Sequence, residues 1–426
     1  MRKPFGIIAE GLFLCRIKYR LFNVAFLFWS VIFKALAETQ HLMDSEGKEL
    51  IICITDWDNK TPVKEESFLG GQYKVISRSG LNVTEIQIIE ILKELSTPGR
   101  IFFLENRTGV CSIIARHLYP EAEITIHCLD LYYANKIKRN LSKNGVSSVT
   151  VWCKPSVGQK EVFDVIFLQL SKGGATKELV LDFIQQTHQA LQTGGKCFFS
   201  LEGNDPWIQK QVKEVFGGFS VYSRTKTGYC IVTTKKKKLK RVRNFQTECT
   251  MTIFGERPVR LLTIPGVFSH REIDQGTLAL AEIAVSESQR DDAVLDMGCG
   301  CGAIGISIAV NQNVSRVCFV DSNSRAVYIT EKNCQLNGLE HYEVIMSDTG
   351  IKEEGGFTLF AGNPPYFSHY KISELFINTA YRALKPGGRA YIVAKTATWH
   401  QKFMKNVFGN AEVVRRRGYE IIKSIR

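Results

Sequence analysis

Short, almost continuous apolar runs alternate along the chain with longer stretches whose apolar residues recur at helical spacing. IFFL, ITIHCL, VTVWC, VIFLQL and KCFFSL, between residues 101 and 201, are rich in β-branched and aromatic side chains and read as strands. VLDM, RVCFV, YEVIM, FTLFAG and AYIVA, between residues 294 and 394, read the same way. Ser324–Leu336 and Ser373–Leu384 carry the spacing of amphipathic helices. A strand that is apolar at every position must be covered on both faces, as in a parallel sheet flanked by helices. The pattern predicts an α/β fold, doubly wound and Rossmann-like, and it predicts it twice.

The two halves also match segment by segment. VLDMGCGCGAIGISIAV and its sequel up to Gly338 align with IFFLENRTGVCSIIARHL and its sequel up to Gly145. GFTLFAGNPPY pairs with VFDVIFLQLSK, and ALKPGGRAYIV with ALQTGGKCFFS. The offset stays between 191 and 194 residues, from Asp130/Asp321 through Gly194/Gly387 to Phe163/Phe357. Matched segments in one order at one offset point to an internal duplication. We expect a first domain over 43–234, a basic linker over 235–243 and a second domain over 244–426.

Composition is that of a globular protein, 44% hydrophobic and 23% charged. The net charge of +13 is concentrated in two places. Residues 1–42 hold six basic and two acidic side chains around the apolar run LFNVAFLFWSVIF, an extension that reads either as a targeting segment or as an upstream prolongation with Met43 as the working start. The linker holds seven basic side chains and no acid: Lys235, Lys236, Lys237, Lys238, Lys240, Arg241 and Arg243. It is either a solvated edge or a strip that contacts phosphates, where counterion release would supply sequence-independent affinity. The twelve cysteines contain no C-x-x-C pair, so no metal site is expected and the thiols read as reduced.

The chemistry sits in the second copy. Asp296-Met297-Gly298-Cys299-Gly300-Cys301-Gly302 ends a strand and opens a helix. Gly300, Gly302 and Gly305 satisfy G-x-G-x-x-G, which alone is weak support for a dinucleotide. Carboxylates end three successive strands: Asp296 before the glycines, where it could hold an amine, Asp321, placed for ribose hydroxyls, and Asp348, placed for an adenine amine. Three carboxylates suit S-adenosylmethionine better than a pyrophosphate. Asn363-Pro364-Pro365-Tyr366 follows the next strand. Two prolines fix the main chain and leave its carbonyls free to accept. The Asn363 amide oxygen and the Pro364 carbonyl could take hydrogen bonds from one planar NH₂ group, and Tyr366 offers a face for a base to stack on.

These motifs resemble those of class I S-adenosylmethionine-dependent methyltransferases that modify planar amines. Within them, Ile264-Pro265-Gly266-Val267-Phe268-Ser269 and Asp274-Gln275-Gly276-Thr277 resemble the bacterial ribosomal RNA guanine-N2 methyltransferases of the RsmC type, which carry two tandem methyltransferase-like domains, the first degenerate. The resemblance covers about 43–426 and is strongest over 260–395. It implies S-adenosylmethionine at Asp296, Gly298, Gly300, Gly302, Asp321 and Asp348. It implies target contacts at Asn363, Pro364 and Tyr366, with Phe268 and Ser269 lining the site. Tyr366 departs from the phenylalanine frequent there but keeps the ring.

The first copy departs further: Glu105-Asn106-Arg107-Thr108-Gly109 replaces the glycine loop and Gln169-Leu170-Ser171-Lys172 the tetrapeptide. A scaffold or RNA-orienting role is expected of it. The resulting expectation is a cytoplasmic, monomeric, metal-free N-methyltransferase of a guanosine in ribosomal RNA or a ribosomal subunit, associated with a membrane only if 1–42 is retained. The alternatives are another planar amine (adenine N6 or protein glutamine), a non-catalytic RNA-binding assembly protein, and a nicotinamide dehydrogenase.

Overall fold

The computed structural model describes residues 50–426 except 55–63, 69–72, 78–79, 106, 172, 174, 256 and 366–369. The apolar segment within 1–42, Asn106, Lys172 and Tyr366 therefore lie outside the described residues. Residues 50–80 with 139–147 make one compact unit, and 81–138 with 148–426 another. The first unit holds a three-stranded sheet in which β3 (Tyr73–Ser77) runs parallel to β1 (Leu50–Cys53) and antiparallel to β2 (Lys64–Phe68).

The second unit contains two seven-stranded sheets. One is formed by β4 (Arg100–Leu104), β5 (Glu123–Cys128), β6 (Val149–Cys153), β7 (Phe163–Leu170), β8 (Leu191–Leu201), β9 (Ser220–Arg224) and β10 (Tyr229–Thr234). The other is formed by β13 (Ala293–Met297), β14 (Arg316–Asp321), β15 (Tyr342–Met346), β16 (Phe357–Gly362), β17 (Leu384–Ala394), β18 (Glu412–Arg416) and β19 (Tyr419–Ile425). A hairpin, β11 (Thr247–Met251) with β12 (Val259–Thr263), lies between them in sequence. The strand orders are β6-β5-β4-β7-β8-β10-β9 and β15-β14-β13-β16-β17-β19-β18. Each order, counted from its own first strand, is 3-2-1-4-5-7-6, so the duplicated sequence has folded twice into one topology.

Why the runs are apolar throughout is clear in the second sheet. Val294, Phe319, Leu359 and Val393 enter one buried cluster, while their chain neighbours Leu295, Val320, Phe360 and Ile392 enter another on the opposite face. Successive strand side chains point to opposite faces, so both faces are core. Each fully buried Phe or Leu contributes roughly 1.5–3 kcal/mol relative to exposure. The last two strands of each sheet, β9 with β10 and β18 with β19, are antiparallel hairpins that the apolar runs alone do not announce.

Candidate active site

Parallel pairing brings the candidate residues to one edge of the second sheet. β13 pairs with β16 in the register Asp296↔Ala361 and Met297↔Gly362, so the glycine loop and Asn363 leave adjacent strands side by side. β14, on the other flank of β13, ends at Asp321. This is the carboxyl-terminal edge, where open α/β sheets hold ligands.

Two glycines in the loop have no substitute. Gly298 has φ +69°, and a Cβ there would lie 2.7 Å from the Phe376 ring. Gly300 has φ +59° with nothing within 4 Å of an added Cβ, so open space lies over the loop at that point. Asp296 is fully buried beneath the loop. Its Oδ2 accepts from the Gly305 N–H at 2.8 Å, whereas Oδ1 has no partner among the described residues. Burial pushes the Asp296 carboxyl up to about 7, opposed by the Gly305 amide. A buried carboxyl oxygen without a donor fits a cationic or amine-bearing ligand.

Asp321 takes the Gly300 N–H on Oδ2 at 2.9 Å and the Asn323 N–H on Oδ1 at 2.8 Å. Burial raises it to about 6 against those two amides. It thus locks the loop from the neighbouring strand and keeps lone pairs for hydroxyl donors. Asp348 follows β15, and both its oxygens accept from the Asn135 amide at 3.2 and 3.1 Å. The NH₂ donor that Asp348 meets here comes from the first copy, a partner the sequence did not suggest.

Asn363 is oriented from its donor side. Its Nδ2 donates to Thr277 Oγ1 at 3.2 Å and approaches Asp274 Oδ2 at 3.4 Å. Asp274 in turn caps the Gln275–Glu287 helix by accepting from the Thr277 N–H at 3.0 Å. With Nδ2 fixed, Oδ1 is left as the acceptor. The sequence reading attached no role to Asp274 and Thr277. The signal was present as an Asp directly before a helix. Pro364 is buried and Pro365 half-buried directly after it.

The 264–269 loop is tied to the strand end that bears Asp321. Asn323 Nδ2 donates to the Gly266 carbonyl at 2.8 Å, and Arg325 Nη1 to the Pro265 carbonyl at 2.5 Å. Phe268 is 64% exposed there, and Ser269 adopts φ +59°. The basic linker requires one correction. Lys235 is not part of an exposed strip: it is 2% exposed, and its Nζ donates to the Leu191 carbonyl at 2.6 Å and pairs with Glu161 at 3.4 Å. It closes the end of β10, where free carbonyls outweigh solvation of one ammonium. Lys236, Lys237, Lys238, Lys240, Arg241 and Arg243 are exposed, with Arg243 3.9 Å from Glu178. Among the described residues no cluster suits a metal ion, and no helix is long and apolar enough to cross a membrane. Burial drives the Cys299 and Cys301 thiols up, the latter to about 12, so both are neutral packing groups.

Residues 258–423 match the family described as Methyltransferase small domain. The chain carries an RsmC-like class I methyltransferase domain. The Ribosomal RNA small subunit methyltransferase C of Pseudomonas entomophila is 30% identical over 174 residues, 40% of this chain and 52% of that protein. That of Pseudoalteromonas translucida is 33% identical over 158 residues, 36% of this chain and 45% of that protein. The matched region thus spans about half the length of these curated relatives. Among solved structures, the T. thermophilus 16S rRNA N2 guanosine methyltransferase RsmC, in complex with S-adenosylmethionine and guanosine, superposes with a TM-score of 0.69. Its sequence is 20% identical, and the match covers 86% of this chain and 98% of that one, so the likeness in fold extends across both copies. The family's cofactor is S-adenosylmethionine.

Against the methyltransferase domain the first copy is visibly worn. Where the second has open space over Gly300, the first has Arg107, whose guanidinium lies 5.1 Å from the Tyr133 ring centre. Thr108 Oγ1 accepts from the Val110 N–H at 3.2 Å, at the start of the following helix. Gln169, at the position of Asn363, donates to Thr84 at 3.2 Å, an echo of the Asn363–Thr277 bond without the prolines. The methyltransferase domain is bound to this copy by Arg325, 2% exposed, which donates to Asp182 at 2.5 Å and to the Pro155 carbonyl at 2.8 Å.

Proposed function

We propose that the chain is an S-adenosylmethionine-dependent N-methyltransferase acting on the exocyclic N2 amine of a guanosine in ribosomal RNA or a ribosomal subunit. The domain division is 43–234 as the degenerate copy, 235–243 as linker and 244–426 as the catalytic copy. When bound, the cofactor supplies an electrophilic methyl group and leaves as a neutral thioether. In this reading Asp296 faces the ammonium, Asp321 the ribose hydroxyls and Asp348 the adenine amine, with Gly298, Gly300 and Gly302 giving the main chain close approach. Asn363 Oδ1 and the Pro364 carbonyl accept the two N–H groups of the target amine and aim its nitrogen. Their negative ends favour the positive charge that builds on that nitrogen as it is alkylated, and the methylated nitrogen then loses its extra proton to solvent. Catalysis is positioning plus preorganised electrostatics, without a strong base. Phe268, Ser269 and Tyr366 line the base, and the exposed linker cations contact phosphates.

The observation that carries this reading is the fixing of the Asn363 donor edge by Asp274 and Thr277, which leaves its acceptor beside the glycine loop. The test is mass spectrometry of nucleosides from ribosomal RNA of cells with and without the gene. N2-methylguanosine should fall in the deletion strain. Loss of N6-methyladenosine instead, or no change in any RNA nucleoside, would overturn the guanosine assignment.

A further inference from the structure

Three aromatic rings form a ladder that the proposed chemistry leaves unused. Tyr370 stacks on Trp399 with centroids 4.3 Å apart and planes 11° apart, and Trp399 stacks on Phe403 at 4.9 Å and 10°. Tyr370, at the outer end, is 45% exposed. It has φ +64°, a left-handed conformation that bulky residues rarely adopt, and no side-chain hydrogen bond caps the helix that follows. Strain of this kind is retained where a side chain must be presented in one direction.

The ladder is close to the site. The Lys371–Ala383 helix carries Phe376, whose ring lies 2.7 Å from a Cβ built on Gly298 and 2.8 Å from one built on Gly362. Tyr370 is six residues before Phe376, about 9 Å along the helix axis at the usual rise. That distance suits a nucleotide next to the target rather than the target itself. The Thr398–Phe408 helix bears the other two rings, and its His400 is tied to Ser373 of the Lys371–Ala383 helix at 3.1 Å. Lys371, next to Tyr370, and Lys402, one helical turn from Trp399, are exposed and pair with no carboxylate among the described residues. The Thr398–Phe408 helix has no acid, and the first turn of the other has Glu374. Stacked rings with interleaved cations are the recognition chemistry of unpaired nucleotides.

We propose that Tyr370 stacks a base of the single-stranded RNA flanking the target nucleotide, with Lys371 and Lys402 on the adjoining phosphates. This rests on the RNA reading above. The test uses the full chain and a fluorescein-labelled single-stranded RNA of about 12 nucleotides, followed by anisotropy. Tyr370→Ala should weaken binding by about 5- to 150-fold, the span seen when one base-on-ring stack is removed, and Tyr370→Phe should restore it. S-adenosylhomocysteine affinity by calorimetry should stay at the wild-type value, which reports an intact fold. Lys402→Gln should reduce the slope of log affinity against log salt by about 0.7, and this arm decides if Tyr370→Ala fails to fold. Wild-type RNA affinity in Tyr370→Ala, or equal losses in the Ala and Phe variants, overturns the proposal. So does an unchanged salt slope in Lys402→Gln. If the wild type still methylates RNA in those cases, the function stands and only the ladder's role falls. A wild type that neither binds nor methylates RNA sinks both.

Discussion

Asp296 gives a pH dependence of cofactor binding whose sign and size follow from its burial. Burial raises its carboxyl to about 7, opposed by the Gly305 amide. A bound ammonium favours the carboxylate, so binding lowers this pKa and releases a proton whenever the free protein holds one. Affinity should therefore be complete above pH 7 and fall as pH drops below it, by about tenfold per unit until the bound-state pKa is reached. Between pH 7 and pH 5 the loss from this group should be about 50-fold. Asp321, raised to about 6 for the same reason, adds a second and lower step. Calorimetry of S-adenosylhomocysteine in two buffers of different ionisation enthalpy measures both affinity and proton release. Asp296→Asn should remove the upper step and its proton while leaving the lower. A wild-type affinity that is flat from pH 5 to 7, or a variant whose profile matches the wild type, would refute the assignment of Asp296 to the cationic end of the ligand.

Two further outcomes are expected. Arg325→Ala strands Asp182 and two carbonyls in the contact between the copies; breaking a buried pair this way costs about 3–5 kcal/mol, and thermal unfolding should begin at a clearly lower temperature, whereas an unchanged melting profile would mean the contact is not structural. Asp321→Ala removes charge-assisted contacts of roughly 1.5–3 kcal/mol, so the cofactor dissociation constant should rise while turnover at saturating cofactor holds; a loss mainly in kcat would mean that Asp321 does not serve the ribose.

The sheets were legible because their signal is local. A strand buried on both faces must be apolar throughout, and Ser324–Leu336 forms the helix that its spacing indicates. The glycine loop was legible for a related reason: positive φ and open space at Gly300 are met by only one residue type. What stayed hidden depends on partners distant in sequence. Lys235 belongs by composition to a charge run, yet it lies where β10 ends against the Leu191 and Gln189 carbonyls, and that placement turns it inward. Asn135 meets Asp348, and Asp182 meets Arg325, only because the two copies pack through the ends of their second strands: Leu131 N–H donates to the Ser322 carbonyl at 2.8 Å, and Ser324 N–H to that of Leu129 at 2.7 Å. Nothing in either segment alone specifies its counterpart. The closing hairpins β9/β10 and β18/β19 were missed because their outer strands, β9 largely exposed and β18 only partly buried, lack the continuous apolar run.

Single-turnover methyl transfer to unmodified ribosomal RNA or ribosomal particles by wild type and Asn363→Ala, with labelled S-adenosylmethionine and digestion of the product to nucleosides, tests the role of the tetrapeptide. The wild type should place label on guanosine N2. Asn363→Ala removes one preorganised acceptor while Asp274 and Thr277 remain, so transfer should fall by about 10²–10³ with cofactor affinity nearly unchanged. Near-wild-type transfer by the alanine variant, or label found on another group in the wild type, would contradict an Asn363-oriented guanine amine.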